Sequence, residues 1–246
     1  LNGTLVAERL AAYLGAPVTI DNYVKLATEG EQWRGTARAL SSLVFVEWGE
    51  RVGLGLLLNN TLYRGASNDS GDLGFLDLSI GADRYVEPPD DGLGPFERLV
   101  GESALVASAR THAVALGDRG LIAVLDDPRS SGLEAVIDAV LAEQPAAIAA
   151  LREVVRVFAR GLSTVRALLD PQLVIIGGPM ARAGDRLLAE IAAALSGQIL
   201  NQPPLELSTL GRDAVLFGAV HNALASVETG RLSAESLART VSSPAG

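Results

Sequence analysis

The chain has 246 residues, 48% of them hydrophobic and 20% charged, enough to bury a sizeable core as one large domain or two small ones. It contains no cysteine, which excludes disulfides, cysteine-ligated zinc and thiol catalysis; its net charge of −9 argues against direct nucleic-acid contact, which needs a concentrated basic face. Apolar runs such as Val52–Leu58 fall far short of a membrane span, and no basic segment followed by an apolar one opens the chain, so a cytoplasmic protein is expected.

In chain order, Leu5, Val6, Leu10, Ala11 and Leu14 recur at helical spacing, with Gly15 as a stop. Residues 17–20 read as a short strand, after which Asp21 or Asn22 caps a helix running towards Glu31. Residues 42–48 and Val52–Leu58 are apolar runs bounded by glycine, and Asn59-Asn60 suits a two-residue turn because asparagine tolerates positive φ. A Gly/Asp/Ser-rich stretch, 65–74, leads to a predicted strand at 75–80. The segment 83–94, with two adjacent prolines and four acids, must be a loop.

Helices are predicted at 95–110, 131–141 and 145–169, the last with an apolar stripe of Ile148, Leu151, Val155, Phe158, Leu162, Val165 and Leu169. Its arginines Arg152, Arg156, Arg160 and Arg166 read as a solvated face. Residues 172–176 form a buried parallel strand that runs into Gly177-Gly178. A helix at 184–195, a strand at 205–210 and helices at 213–226 and 234–241 complete the chain. Alternating strands and helices in the second half predict an α/β fold with a largely parallel sheet.

Few residues stand out for chemistry. Gly49, Gly53 and Gly55 in the hairpin could let backbone approach a phosphate, although a glycine-kinked structural hairpin fits their spacing better. Gly177-Gly178 suits either a flat ligand resting on backbone or a tight strand-to-helix turn. Asp21-Asn22 lies at a strand end, where ligand sites of open α/β sheets gather, or is a helix cap. Asp72 and Glu97, acids near glycines, could accept hydrogen bonds from hydroxyl groups, or be solvated loop carboxylates. His112 and His221 lack metal-ligand spacing and read as structural or surface residues, so no metal is expected.

The order of these segments resembles the ROK family of sugar kinases and repressors, over almost the whole chain. APVTIDNYVKLA at 16–27 is similar to the family's sugar-contacting acid-Asn-Asp run. Residues 45–65 are similar to its hairpin ending Leu-x-x-Gly, and ASNDSGDLGFL at 66–76 to its Gly-Glu-x-Gly-His segment. Residues 170–178 resemble its Pro-x-x-Val-x-x-Gly-Gly adenosine segment, and GRDAVLFGA at 211–219 its closing Ala-x-x-x-Gly-Ala helix. The resemblance implies an actin-like, ribonuclease-H-like fold of the sugar kinase and Hsp70 superfamily.

The departures bear on activity. Tyr23 stands where the family has the aspartate that takes the sugar hydroxyl proton, and a phenol near pKa 10 is no comparable base. The Gly-Thr-Gly phosphate turn reads Gly49-Glu50-Arg51, which sets a carboxylate against triphosphate. Phe75 replaces the zinc-binding histidine, the cysteine cluster has become the loop 83–94, and Asp72 replaces a glutamate. Asn22 and Glu97 keep sugar-contacting types. The family's opening strand and Asp-x-Gly-Gly-Thr phosphate loop have no counterpart, so the resemblance implies that they lie before Leu1 and that the first lobe is incomplete.

The expectation is therefore a non-catalytic ROK-type body of a bacterial transcriptional regulator of sugar metabolism, without cofactor. Residues 1–40 would be the remainder of the first lobe, 41–225 an effector-binding and dimerising second lobe, and 226–246 a helix and tail. Asn22, Tyr23, Asp72, Phe75 and Glu97 would line an effector pocket for a sugar or derivative. Gly49, Gly53, Gly177 and Gly178 would mark a vestigial nucleotide site. DNA would be reached only through an upstream domain, and a homodimer is expected. The alternatives are a working ATP-dependent ROK sugar kinase, with Asp21 as the base in a shifted register, and a dimerisation module that binds no ligand.

Overall fold

A computed structural model describes residues 3–78, 91–198 and 201–232. Its framework is a five-stranded sheet of order β3-β2-β1-β4-β5. β1 (Leu43–Trp48) and β2 (Val52–Leu58) pair antiparallel, with Val46 opposite Leu54. Asn59 and Asn60, at φ 52° and 62°, then turn the chain into β3 (Thr61–Tyr63), as the asparagine pair predicts. β4 (Leu173–Gly177) joins the other side of β1 in parallel, and β5 (Leu205–Leu207) follows on β4.

Period-two alternation sends the central strands' side chains to two separate cores. Val44, Val46, Trp48, Val174 and Ile176 enter the larger one, covered by α4 (Glu102–Leu116), α6 (Gly132–Leu141), α7 (Pro145–Leu169) and α8 (Gly184–Leu195). Phe158 of α7 stacks on Trp48 with ring centroids 3.6 Å apart, and the indole Nε1 donates to Val100 O at 2.8 Å. Leu43, Phe45, Leu57, Leu173 and Ile175 enter the smaller core, covered by α2 (Tyr23–Arg34) and α9 (Asp213–Leu232). α2 lies within residues 1–40, yet packs directly on the sheet.

Two glycine contacts set how closely α2 and α9 pack. A Cβ at Gly55 would fall 1.6 Å from Thr28 Oγ1, so α2 rests on the bare backbone of β2. At the α2–α9 crossing a Cβ on Gly30 would fall 2.0 Å from Ala214 O, and one on Gly218 1.8 Å from Leu26 O.

Several predicted elements differ. Residues 17–20 are irregular and pair with no strand. The predicted strand at 75–80 begins as a 3-10 turn, Leu73–Phe75, and continues irregularly to 78; the rest lies outside the described residues, as do most of the loop 83–94 and the helix at 234–241. The single helix expected over 95–110 is two, α3 (Glu97–Val100) and α4, separated by Gly101 in extended conformation. α5 (Arg119–Asp126), capped by Asp118, was not anticipated. α1 (Gly3–Leu14) forms as predicted but leaves Leu5, Leu10, Tyr13 and Leu14 exposed.

Candidate functional site

Two cavities open at the carboxyl ends of β1 and β4, the edge where ligand sites of such sheets gather. The first, about 430 Å³, is bounded by Ala27, Glu47, Gly177, Gly178, Arg182 and Arg212, among others. The second, about 580 Å³, is bounded by Tyr23, Glu47, Gly49, Glu50, Arg51, Asp91, Leu93, Glu102 and Pro179. Glu47 and Pro179 border both.

The glycines shape the first cavity. A Cβ on Gly177 would lie 2.4 Å from Phe45 Cζ and 3.4 Å from Glu47 Oε2. Gly178 has φ +79°, and a Cβ there would meet the Trp48 backbone at 2.6 Å. Both glycines are thus needed for the turn itself, and both also border the cavity. Gly49 borders the second cavity, whereas Gly53 borders neither and faces Val24 of α2 at 3.1 Å.

Of the five residues expected around an effector, Tyr23 alone borders either cavity. Tyr23 is 47% exposed at the first position of α2, and its phenol is held above the ordinary value by burial and by the charge of Glu47. Asn22 caps α2, its Oδ1 accepting from Val24 N at 2.9 Å and Lys25 N at 3.4 Å. Glu97 is 5% exposed; its Oε1 accepts from Val52 N at 3.0 Å and its Oε2 from Gly94 N at 2.7 Å. Rather than lining the pocket as expected, that carboxylate ties the hairpin to the chain before α3. Asp72 is exposed, and Phe75 is 58% exposed, with neither bordering a cavity.

Asp21, the alternative base, is bound to Arg64 at 2.6 Å and accepts from Asn22 N at 2.8 Å. Burial alone would raise its carboxyl, but the Arg64 hydrogen bond, the Asn22 N–H and nearby positive charge outweigh it and hold it below the ordinary value. Glu50 sits on the amino end of α4, where its two oxygens accept from Ser103 N at 2.8 Å and Ser103 Oγ at 2.7 Å. A carboxylate of the protein therefore occupies the helix end whose dipole and free N–H groups suit an anion.

Glu47 was not singled out from the sequence. Its signal was a lone acid inside the apolar run LVFVEW. The carboxyl is half-buried, burial raises it, and among the described residues it has neither a hydrogen bond nor an ion pair. Glu102 is raised by burial and by the charge of Glu50, partly offset by the Glu50 N–H. His112 bonds Glu153 at 3.0 Å and His221 lies against Trp33, so neither joins this site. Among the described residues no group of acids and histidines could hold a metal ion.

The sequence profile of the ROK family matches residues 2–225. The chain is 27% identical over 227 residues to a glucokinase of Streptomyces coelicolor, covering 86% of this chain and 68% of that one. It is 24% identical over 208 residues to the xylose repressor of Bacillus subtilis, covering 82% of this chain and 49% of the repressor. In three dimensions it is similar to the ROK family glucokinase of Streptomyces griseus solved with glucose and AMPPNP. There the TM-score is 0.70 at 24% identity, over 87% of this chain and 70% of that one. The fold is thus the actin-like sugar kinase fold, as the resemblance implied.

Proposed function

Because this chain belongs to the ROK family, whose members here include both sugar kinases and repressors, we propose that it is a non-catalytic ROK body that binds a sugar-like effector for a bacterial transcriptional regulator. The observation that carries this reading is Tyr23. It occupies the first turn of α2 beside the Asn22 cap, where the resemblance puts the catalytic aspartate, and its phenol is held protonated. A group that keeps its own proton cannot take one from a sugar hydroxyl at neutral pH.

Two further placements support it. Asp21, the nearest substitute base, is neutralised by Arg64 and depressed below the ordinary carboxyl, the wrong direction for a base working near pH 7. Glu50 fills the amino end of α4 and confronts any incoming phosphate with like charge. The effector reading places the ligand in the cavity beside Tyr23. DNA contact belongs to another part of the protein, and dimerisation to residues 41–225. No described helix is long and apolar enough to cross a membrane.

The second reading, an ATP-dependent sugar kinase, is favoured by the glucokinase similarity and by the Gly177–Gly178 cavity. A coupled assay with Mg·ATP over a panel of hexoses and pentoses separates the two. The regulator reading expects no turnover above background, together with a sugar-dependent rise in melting temperature. Phosphorylation at enzyme-like rates, abolished by Asp21→Asn, would establish the kinase instead.

A further inference from the structure

The cavity beside Tyr23 is lined by four carboxylates, Glu47, Glu50, Asp91 and Glu102, against one guanidinium, Arg51. Most of these charges are already engaged. Glu50 takes the Ser103 N–H and hydroxyl, and Asp91 pairs with Arg98 at 2.8 Å. The nearby Glu50 N–H favours the charged form of Glu102. Arg51 donates to Gly92 O at 2.7 Å and lies 4.0 Å from Glu97. Glu47 differs from all of them. It is half-buried, it borders both cavities, and no described residue donates to it.

A partly desolvated acceptor without a donor costs stability unless something else supplies one. A water or a neutral hydroxyl would supply part of it. An ammonium group supplies more, because it adds a charge-assisted hydrogen bond and is favoured by a cavity whose lining is net negative. Tyr23, partly exposed, borders the same cavity as Glu47 and adds an aromatic ring to the acid, the two group types that recognise ammonium ions. The same charges disfavour an anionic ligand.

We infer that this cavity takes a small ligand carrying a protonated primary amine, with Glu47 as its counter-charge and the Tyr23 ring as one wall. The inference rests on the reading of this cavity as the effector site and narrows it to amino sugars over neutral or phosphorylated ones.

The test is isothermal titration of the full chain with glucose, glucosamine and N-acetylglucosamine at pH 6.5, where the free sugar amine is protonated. Glucosamine is expected to bind at least about tenfold more tightly than either neutral sugar, as one charge-assisted hydrogen bond implies. That preference should shrink towards unity in Glu47→Gln. It should also weaken in the unaltered protein between low salt and about 0.5 M salt, where exposed charge is screened. Equal affinity for glucose and glucosamine overturns the amine inference and leaves the sugar-effector reading standing, as does a preference that survives in Glu47→Gln. Failure of all three sugars to bind overturns the amine inference, and the sugar-effector reading falls with it if no member of the wider hexose and pentose panel raises the melting temperature.

Discussion

At Glu97 both carboxylate oxygens are spent on buried backbone N–H groups, one on the hairpin and one just before α3. Removing the side chain strands both donors, and Gly74, against which it packs, loses its neighbour. Glu97→Ala is therefore expected to cost about 3 kcal/mol in urea unfolding, the scale of two buried donors left unpaired. A loss under about 1 kcal/mol would mean that water satisfies them. Glu47 and Asp21 give opposite pH signatures. Burial raises Glu47 in the folded state, so its contribution favours folding at low pH and is lost as pH rises through the raised value. Glu47→Gln should then be more stable than the parent at pH 7, with the gap closing towards about pH 4. Asp21 is depressed, so its contribution is present at neutral pH and lost as pH falls through the folded value. The cost of Asp21→Asn should fade with acidification. Urea midpoints across this range decide both, and a Glu47→Gln protein no more stable at pH 7 would remove the claim that the carboxylate lacks a partner.

Among the elements, the α2–α9 pair is the most closely constrained, because each helix approaches the other's backbone through a glycine. Alanine at Gly218 would put a methyl 1.8 Å from the Leu26 carbonyl, and alanine at Gly30 2.0 Å from that of Ala214. Neither obstacle is a side chain that could swing away, so the helices must separate. Each substitution should destabilise by about 2–3 kcal/mol, near the upper range for overpacking. Gly120 in α5 is the control. Its nearest neighbour to a new Cβ is Asp118 Oδ1 at 3.5 Å, so Gly120→Ala should be neutral or stabilise by up to about 1 kcal/mol through helix propensity. Thermal unfolding of the three variants checks the ordering. The break at Gly101 follows from the same kind of contact. A Cβ there would lie 2.7 Å from Glu50 O, and breaking the helix at that point presents the start of α4 to the Glu50 carboxylate.

Across the whole molecule, the sequence was most informative where periodicity and burial coincide. The hairpin, its asparagine turn, the stripe of α7 and the strand ending in Gly177-Gly178 all stand where alternation or helical spacing placed them. It was least informative where a tertiary partner decides. Residues 17–20 are strand-like in composition but meet no neighbouring strand, and Gly120 in its first turn hid α5. Both cavities lie in the region to which the sequence pointed, and of the five residues expected around an effector only Tyr23 borders one. Asn22 and Glu97 carry polar types that fit a ligand, yet backbone groups take their acceptors, while Glu47 hid inside an apolar strand. Burial is likewise unequal between ends and centre. α7, β1 and β4 supply the largest block of buried side chains, whereas α1 packs only marginally on the described elements and leaves four large apolar residues exposed. Local opening free energy follows that gradient. In native-state hydrogen exchange the amides of α1 should exchange first and those of β1, β4 and the middle of α7 last, near the global unfolding limit. Protection of α1 equal to that of α7 would show that its apolar face is covered in solution, which an oligomer or a further segment of the protein could provide, and sedimentation of the same sample separates those two.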